Sequence, residues 1–425
     1  MNIQEIKSDR ARDSYYKISH DSGLTIYVYP KQGYKSAYAI FGTKYGSINT
    51  CFSLDGGEKI TVPDGIAHYL EHKLFESEDG DAFARYAKTG ANANAYTAFE
   101  KTCYLFSCTE RFDESFEILL DFVQNPYFTA QTVAKEQGII GQEIKMYDDS
   151  PDWRVMFNML GGLYHNHPVK IDIAGTVESI AEITAEKLYE VYKVFYNLNN
   201  MTLCVSGNVT VEQVLKTADK LLKPCEKHTI ENYFEDEPYE IAKPYVEQIF
   251  PVSMPLFNLG FKEKSTPLTS RQLAHTDILL SLLASPTSRL YRELMDANLI
   301  NSSFSYELFD GPGYCAVILG GESRAPKQAA EMIKSYITKT KENGIDPEEF
   351  EIARRAVYGD AISSLNNVSS IANAIADHHF GGTELFEYID SIAKTSLEDV
   401  SERLSEMLDV NNATLSVVKS GEAEV

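Results

Sequence analysis

Five residues concentrate the chemistry this chain could perform: His68, Tyr69, Leu70, Glu71 and His72. They read H-x-x-E-H, the inverted order of a metallopeptidase signature. On a helix, Ile66, Leu70 and Leu74 recur at i, i+4 and i+8 and make one apolar face. His68, Glu71, His72 and Phe75 then fall on the opposite face, within an arc of roughly 100°. Two imidazoles four residues apart can point at one metal ion. The carboxylate just before the second His lies beside them, close enough to hold a water. Zinc chemistry needs these parts: nitrogen ligands, an open coordination position and a base. Two His and a Glu can also share a solvated helix face by accident, so the pentapeptide needs support from the rest of the chain. Asp64 follows Pro63 and is placed to cap the helix.

The elements that must position these groups can be read on either side. Residues 24–30 alternate as a strand after Gly23, and 35–46 give a second strand. The metal-site helix is expected near 64–76, followed by a helix over 79–89 that stops at Gly90. Residues 91–97 lead into a strand at 101–108, and a helix covers 113–123. A long helix over 131–147 carries Glu136 and Glu143, two turns apart and therefore on one face. Further helices are expected near 153–164 and 184–196.

The chain then repeats itself. Asn199-Asn200-Met201-Thr202-Leu203-Cys204-Val205 matches Asn411-Asn412-Ala413-Thr414-Leu415-Ser416-Val417, and Ser179-Ile180-Ala181 matches Ser391-Ile392-Ala393. The offset (411 − 199) is 212 in both windows, half the chain, which indicates an internal duplication. Residues 224–245, with three prolines and an acidic run, have linker composition. The expected domains are therefore 1–223 and 246–425. In the second, strands are expected near 246–262 and 303–320, and helices near 269–284, 287–297, 326–343 and 346–379. Strand groups and long helices without βαβ alternation give an α+β fold of two homologous domains, each an antiparallel sheet flanked by long helices. The second half has His275 and the His378-His379 pair but no H-x-x-E-H, so only the first half can hold the metal.

Composition narrows the partners. The net charge is −23 over 425 residues, which disfavours nucleic acid and anionic membrane surfaces. It suits basic peptides, or is the general acidity of a cytosolic protein. The first 22 residues lack an apolar core of the signal-peptide kind, and no run of 18 apolar residues exists, so a cytoplasmic protein is expected. The six Cys show no C-x-x-C pairing and read as reduced thiols; Cys103 and Cys108 should lie on opposite faces of their strand.

Over its whole length the chain resembles the pitrilysin/insulin-degrading enzyme/mitochondrial processing peptidase family of zinc metallopeptidases, the inverzincins. The likeness is carried by Gly65 to Phe75, Gly90 to Thr97, Thr102, Tyr104, Glu136 and Glu143. Leu74 to Asp81 and Gly138 to Glu143 resemble the bacterial YmfH-like branch. The resemblance implies one zinc per chain, held by His68, His72 and Glu143, with Glu71 as the base. Glu136 would orient a ligand or assist catalysis; the plainer alternative is a carboxylate in a helix–helix contact. Asn94 and Ala95 match the family's substrate-binding strand, to which an extended peptide adds by backbone hydrogen bonds; the plainer alternative is a turn using Asn for local bonds. The two domains would enclose a substrate chamber.

One departure stands out. Family members that act alone carry an Arg and a Tyr in the second half, which hold substrate and oxyanion. Here Met295 falls at the Arg position and Asn301 or Ser302 at the Tyr position, with Tyr306 out of register and no Gly-rich loop before Ser288. In the family, paired subunits divide these duties. The resemblance therefore implies a zinc endopeptidase acting on extended peptides as the zinc-bearing subunit of a heterodimer, with a homodimer as fallback. The competing reading is a catalytically silent zinc-binding or peptide-binding structural subunit.

Overall fold

The computed structural model describes residues 1–78 and 80–421. Its fold is α+β and forms two compact units. The first combines Met1–Ile144, Asp172–Tyr233 and Ile362–Phe386; the second combines Lys145–Ile171, Phe234–Ala361 and the residues from Glu387 onward.

Seven strands make the sheet of the first unit: β1 (Asn2–Ser8), β2 (Asp13–Ser19), β3 (Thr25–Pro30), β4 (Ala37–Thr43), β5 (Asn92–Thr97), β6 (Thr102–Cys108) and β7 (Met201–Gly207). Their spatial order is β1-β2-β3-β7-β4-β6-β5, and only the β3–β7 pair is parallel. The central strands β4 and β7 are buried along their whole length, as expected for strands covered on both faces. The helix Val368–Gly381, from the far end of the sequence, packs on β4 and β7. The helix Phe112–Gln124 packs on β4 and β6. Cys103 and Cys108, on opposite faces of β6, are both buried, and all six cysteines are free thiols.

Five strands make the sheet of the second unit: β8 (Tyr245–Ile249), β9 (Leu256–Lys262), β10 (Ser305–Gly311), β11 (Tyr314–Glu322) and β12 (Ala413–Lys419). The order is β8-β12-β9-β11-β10, again with a single parallel pair, β8–β12. This repeats β3-β7-β4-β6-β5 strand for strand. The sequence repeat lands on it, because β7 begins at Met201 and β12 at Ala413 (413 − 201 = 212). The helix Pro151–Leu163 packs on β9 and β12 as Val368–Gly381 packs on β4 and β7. Phe257, Leu259, Phe261, Ile278, Leu279 and Val317 lie in its core.

Several details differ from the sequence reading. Each unit takes a helical segment from the other half of the chain, so residues 145–171 and 362–386 leave the contiguous stretches 1–223 and 246–425. The proline-containing segment is divided as well. Ile230–Asn232 pairs with Cys51–Leu54 in the first unit, while Phe234 onward belongs to the second. Asp64 does not cap the metal-site helix. Gly65 occupies that position at φ 87°, with no side-chain cap. A Cβ there would come within 2.3 Å of the Ala174 carbonyl oxygen, so the chain needs glycine. The expected helix 346–379 is two helices, Pro347–Ser364 and Val368–Gly381, because the Asn367 side chain accepts from Ser370 N–H and caps the second. Asp79, the expected start of the next helix, lies outside the described residues. The β1–β2 hairpin was not expected. No described helix is long and apolar enough to cross a membrane.

Candidate metal and peptide site

The site lies within the first unit. The helix Ile66–Leu74 is held by its apolar side: Ile66, Tyr69, Leu70 and Leu74 are each at most 1% exposed. Truncating a buried leucine such as Leu70 to alanine costs roughly 2–5 kcal/mol, so the helix is rigidly seated. The Tyr69 hydroxyl donates to the Val133 carbonyl of the long helix Ala130–Asp148. That bond sets the register between the two helices. Glu136, Ile140 and Glu143 then share the face turned toward the metal-site helix, with Ile140 fully buried between the carboxylates.

The side chains converge. His72 Nδ1 lies 3.0 Å from Glu136 Oε1, so Nδ1–H donates to that carboxylate and the Nε2 lone pair is left for another partner. His72 Nε2 is 3.4 Å from Glu143 Oε2, and His68 Nε2 is 3.7 Å from Glu143 Oε1. The ligating atoms of His68, His72 and Glu143 all lie within 4.8 Å of one another. Separations of this kind are long for strong hydrogen bonds. They are close to the edge of a tetrahedron, about 3.3–3.5 Å, for ligands held at zinc distances. Glu71 Oε2 accepts from the Thr97 hydroxyl at 2.7 Å.

Protonation follows burial and charge. Burial and the neighbouring His72 push His68 down to about 4, which keeps it neutral with a lone pair to give. For His72, burial acts against protonation, but the Glu136 hydrogen bond and the Glu71 and Glu143 carboxylates outweigh it, and the net direction is up. Burial raises Glu71, opposed by the Thr97 hydroxyl. The hydrogen bond from His72 holds Glu136 below the usual carboxylate range. His68 Nδ1 is buried without a hydrogen-bond partner among the described residues. Two imidazoles beside three carboxylates, with the ligating atoms of His68, His72 and Glu143 all within 4.8 Å of one another, suit a divalent cation, and the donor set fits zinc.

Asn94 and Ala95 lie on β5, which among the described residues has a strand neighbour on one side only; they pair with Leu105 and Tyr104 of β6. Asn94 is exposed, and its side-chain oxygen accepts from the Ala95 N–H at 2.9 Å. The local bond anticipated for Asn94 therefore coexists with an extended edge strand. Thr97 figures in the sequence only as part of the stretch that carries the family resemblance, with no chemistry assigned, although alternation from Ala95 puts it on the same face. Met295, Asn301 and Ser302 belong to the second unit: Met295 is 38% exposed, and the Asn301 amide donates to Glu322 Oε2.

Residues 61–177, which hold the motif, β5 and both glutamates of the long helix, match the model described as insulinase (peptidase family M16). Residues 182–357 match the peptidase M16 inactive domain. YmfH of Bacillus subtilis, described as an uncharacterized zinc protease, is 38% identical over 424 residues, 98% of this chain and 99% of that one. The mitochondrial-processing peptidase subunit beta of Arabidopsis thaliana is 26% identical over 175 residues, 40% of this chain and 33% of that one. The crystal structure of an M16-like peptidase from Alicyclobacillus acidocaldarius superposes with a TM-score of 0.92 at 34% identity, covering 99% of both chains. Full-length likeness to a zinc protease and to a solved M16-like structure, on top of the converging His and Glu side chains, means that the chain belongs to peptidase family M16, the insulinase family.

Proposed function

We propose that this chain is a zinc endopeptidase that cleaves extended peptides and works as the zinc-bearing subunit of a pair. The observation that carries the reading is the convergence of His68, His72 and Glu143 with Glu71 beside them. Those three would hold one zinc per chain. A bound zinc supplies Lewis acidity toward a water and the scissile carbonyl. Glu71 takes the proton of the attacking water and hands it to the leaving amine. Glu136 keeps the His72 ring oriented through Nδ1. The peptide adds as a strand to the free edge of β5 at Asn94 and Ala95. Six free thiols support a reducing, cytoplasmic setting.

The pairing rests on what the second half lacks. Met295 carries no donor for an oxyanion, and Asn301 already donates to Glu322. A homologous subunit bearing the Arg and Tyr would complete the site. The alternative, a silent zinc-binding or peptide-binding subunit, leaves the retained base Glu71 without a role.

The test is elemental analysis of the purified chain and of His68→Ala, with cleavage of an unstructured peptide followed in parallel. One zinc per chain, lost in the variant together with cleavage, is expected. Undiminished zinc in His68→Ala would refute the ligand assignment.

A further inference from the structure

We infer that Thr97 is a positioning residue for Glu71: its hydroxyl occupies one carboxylate oxygen and leaves the other as the oxygen that exchanges the proton. The inference rests on the reading of Glu71 as the base.

The geometry starts with the glutamate. Glu71 is 8% exposed, and its terminal torsion has no sharp preference of its own. A carboxylate with two free oxygens would rotate and present either one. Thr97 Oγ1 sits 2.7 Å from Oε2 and fixes the plane. The direction of that bond follows from counting protons. The Thr102 hydroxyl, fully buried, donates to the Tyr45 carbonyl at 2.9 Å and lies 3.5 Å from Thr97 Oγ1. Thr97 Oγ1 is the donor in its bond to Glu71 Oε2. The single Thr97 proton therefore goes to Glu71 Oε2, and Oε1 is the oxygen left to face a water.

Thr97 is itself held in place. It ends β5 and pairs with Thr102 of β6, which in turn pairs with Thr43 of β4. Alternation puts Thr97 on the face of β5 shared with Ala95, the face that meets the metal-site helix. The opposite face carries Tyr96, whose hydroxyl donates to Asn373 Oδ1 at 3.4 Å. The strand proposed to bind the peptide is thus the strand that sets the base. A peptide that stiffens β5 holds Thr97, and through it Glu71, in the same movement.

The roles separate by substitution in the full chain, zinc-loaded and assayed with its homologous partner. Thr97→Val keeps the shape and removes the donor; Thr97→Ser keeps the donor. In Thr97→Val we expect one zinc per chain, a melting temperature near the parent's, KM within about threefold and kcat lowered about 10- to 100-fold, the scale of a misplaced catalytic group. Thr97→Ser should recover most of kcat. A readout independent of turnover is the Glu71 carboxylate in zinc-loaded crystals: fixed in the parent and in Thr97→Ser, rotated or split in Thr97→Val. An unchanged carboxylate and parental kcat in Thr97→Val would overturn the inference, as would a loss that serine does not restore. If the parent cleaves no peptide, the proposed function fails, while the crystals still decide whether Thr97 sets Glu71.

Discussion

Five strands of the first sheet and the five of the second share one order and one placement of the edge strand, yet the helices that meet the two edges carry different side chains. In the first unit, β5 meets the helix Ile66–Leu74 with its His and Glu residues; in the second, β10 meets the helix Ser270–Ala284. That second helix also carries polar groups, and they are taken up by separate neighbours. Asp277 accepts from the Tyr388 hydroxyl, Ser281 hydrogen-bonds Tyr306, and Asp399 pairs with Arg271 beside His275. In the first unit the nitrogens and oxygens stand 3.4 and 3.7 Å apart, and His68 Nδ1 has no partner among the described residues. Topology therefore supplies an edge strand and a helix beneath it. Whether the place can become a site depends on whether its nitrogens and oxygens converge on one point, as those of His68, His72 and Glu143 do.

The comparison breaks most sharply at Glu71. Glu71→Gln should keep one zinc per chain and lower turnover about 10²- to 10⁴-fold, the range for removing a general base. Parental turnover in this variant would return the first edge to the status of the second.

The second unit should fail differently, through stability. Lys262, 3% exposed, donates to Glu237 Oε1 at 2.6 Å and to the Leu163 and Pro238 carbonyls. Glu237 also accepts from the backbone N–H groups of His165, Asn166 and His167. Removing one member of a buried pair costs about 3–5 kcal/mol, so Glu237→Ala should unfold at clearly lower urea while its zinc content stays at one per chain. Burial works against the Glu237 charge, but Lys262 and the three N–H groups hold its carboxyl down at about 2. A depressed acid stabilises fully above its ordinary value of 4.5 and loses that contribution as pH falls toward 2. The gap between parent and variant should therefore close on acidification below about pH 4.5; a constant gap would remove the charge from the explanation.

The missing Arg and Tyr give the next effect. The lone chain should be a poor peptidase, and adding a homologous subunit that bears the Arg and Tyr should raise turnover about 10²- to 10³-fold, the worth of one preorganised oxyanion donor. Full turnover without a partner, unchanged in Tyr306→Phe, would mean that another group supplies the donor.

How much of this was legible depends on whether the signal was local. His68, Glu71 and His72 announce themselves by helical spacing; Glu136 and Glu143 share a helix face two turns apart, and the family resemblance gives them their roles. The offset of 212 anticipated that β7 and β12 are equivalent (413 − 201 = 212). Thr97 carried no such signal, because its bond to Glu71 depends on the register of β5 against a helix 26 residues earlier in the chain. The β1–β2 hairpin escaped because β1 is exposed along most of its length and shows no apolar alternation. The exchange of residues 145–171 and 362–386 was hidden for another reason. Apolar periodicity says that a helix has a buried face and not which sheet it is buried against.

The smallest effect belongs to the polar group nearest in kind to the metal site. Asp277 is raised to about 6, chiefly by burial, against the opposing hydrogen bond from Tyr388. A raised acid keeps its proton in the folded state after the unfolded chain has lost it. The unfolded chain then binds fewer protons, and stability falls as pH rises from about 3.8 through about 6, levelling beyond. Asn at this position still accepts from the Tyr388 hydroxyl and has no charge to bury. Asp277→Asn should therefore gain on the parent across that window, on the order of 1–3 kcal/mol, with no gain at pH 3.5. Contributions common to both proteins, the metal site included, cancel in the difference. Urea unfolding of parent and variant at pH 3.5 and pH 7 reads it directly. Parallel stabilities at the two pH values would show that Asp277 titrates alike in the folded and the unfolded chain, and that burial at the second edge does not disfavour its charge.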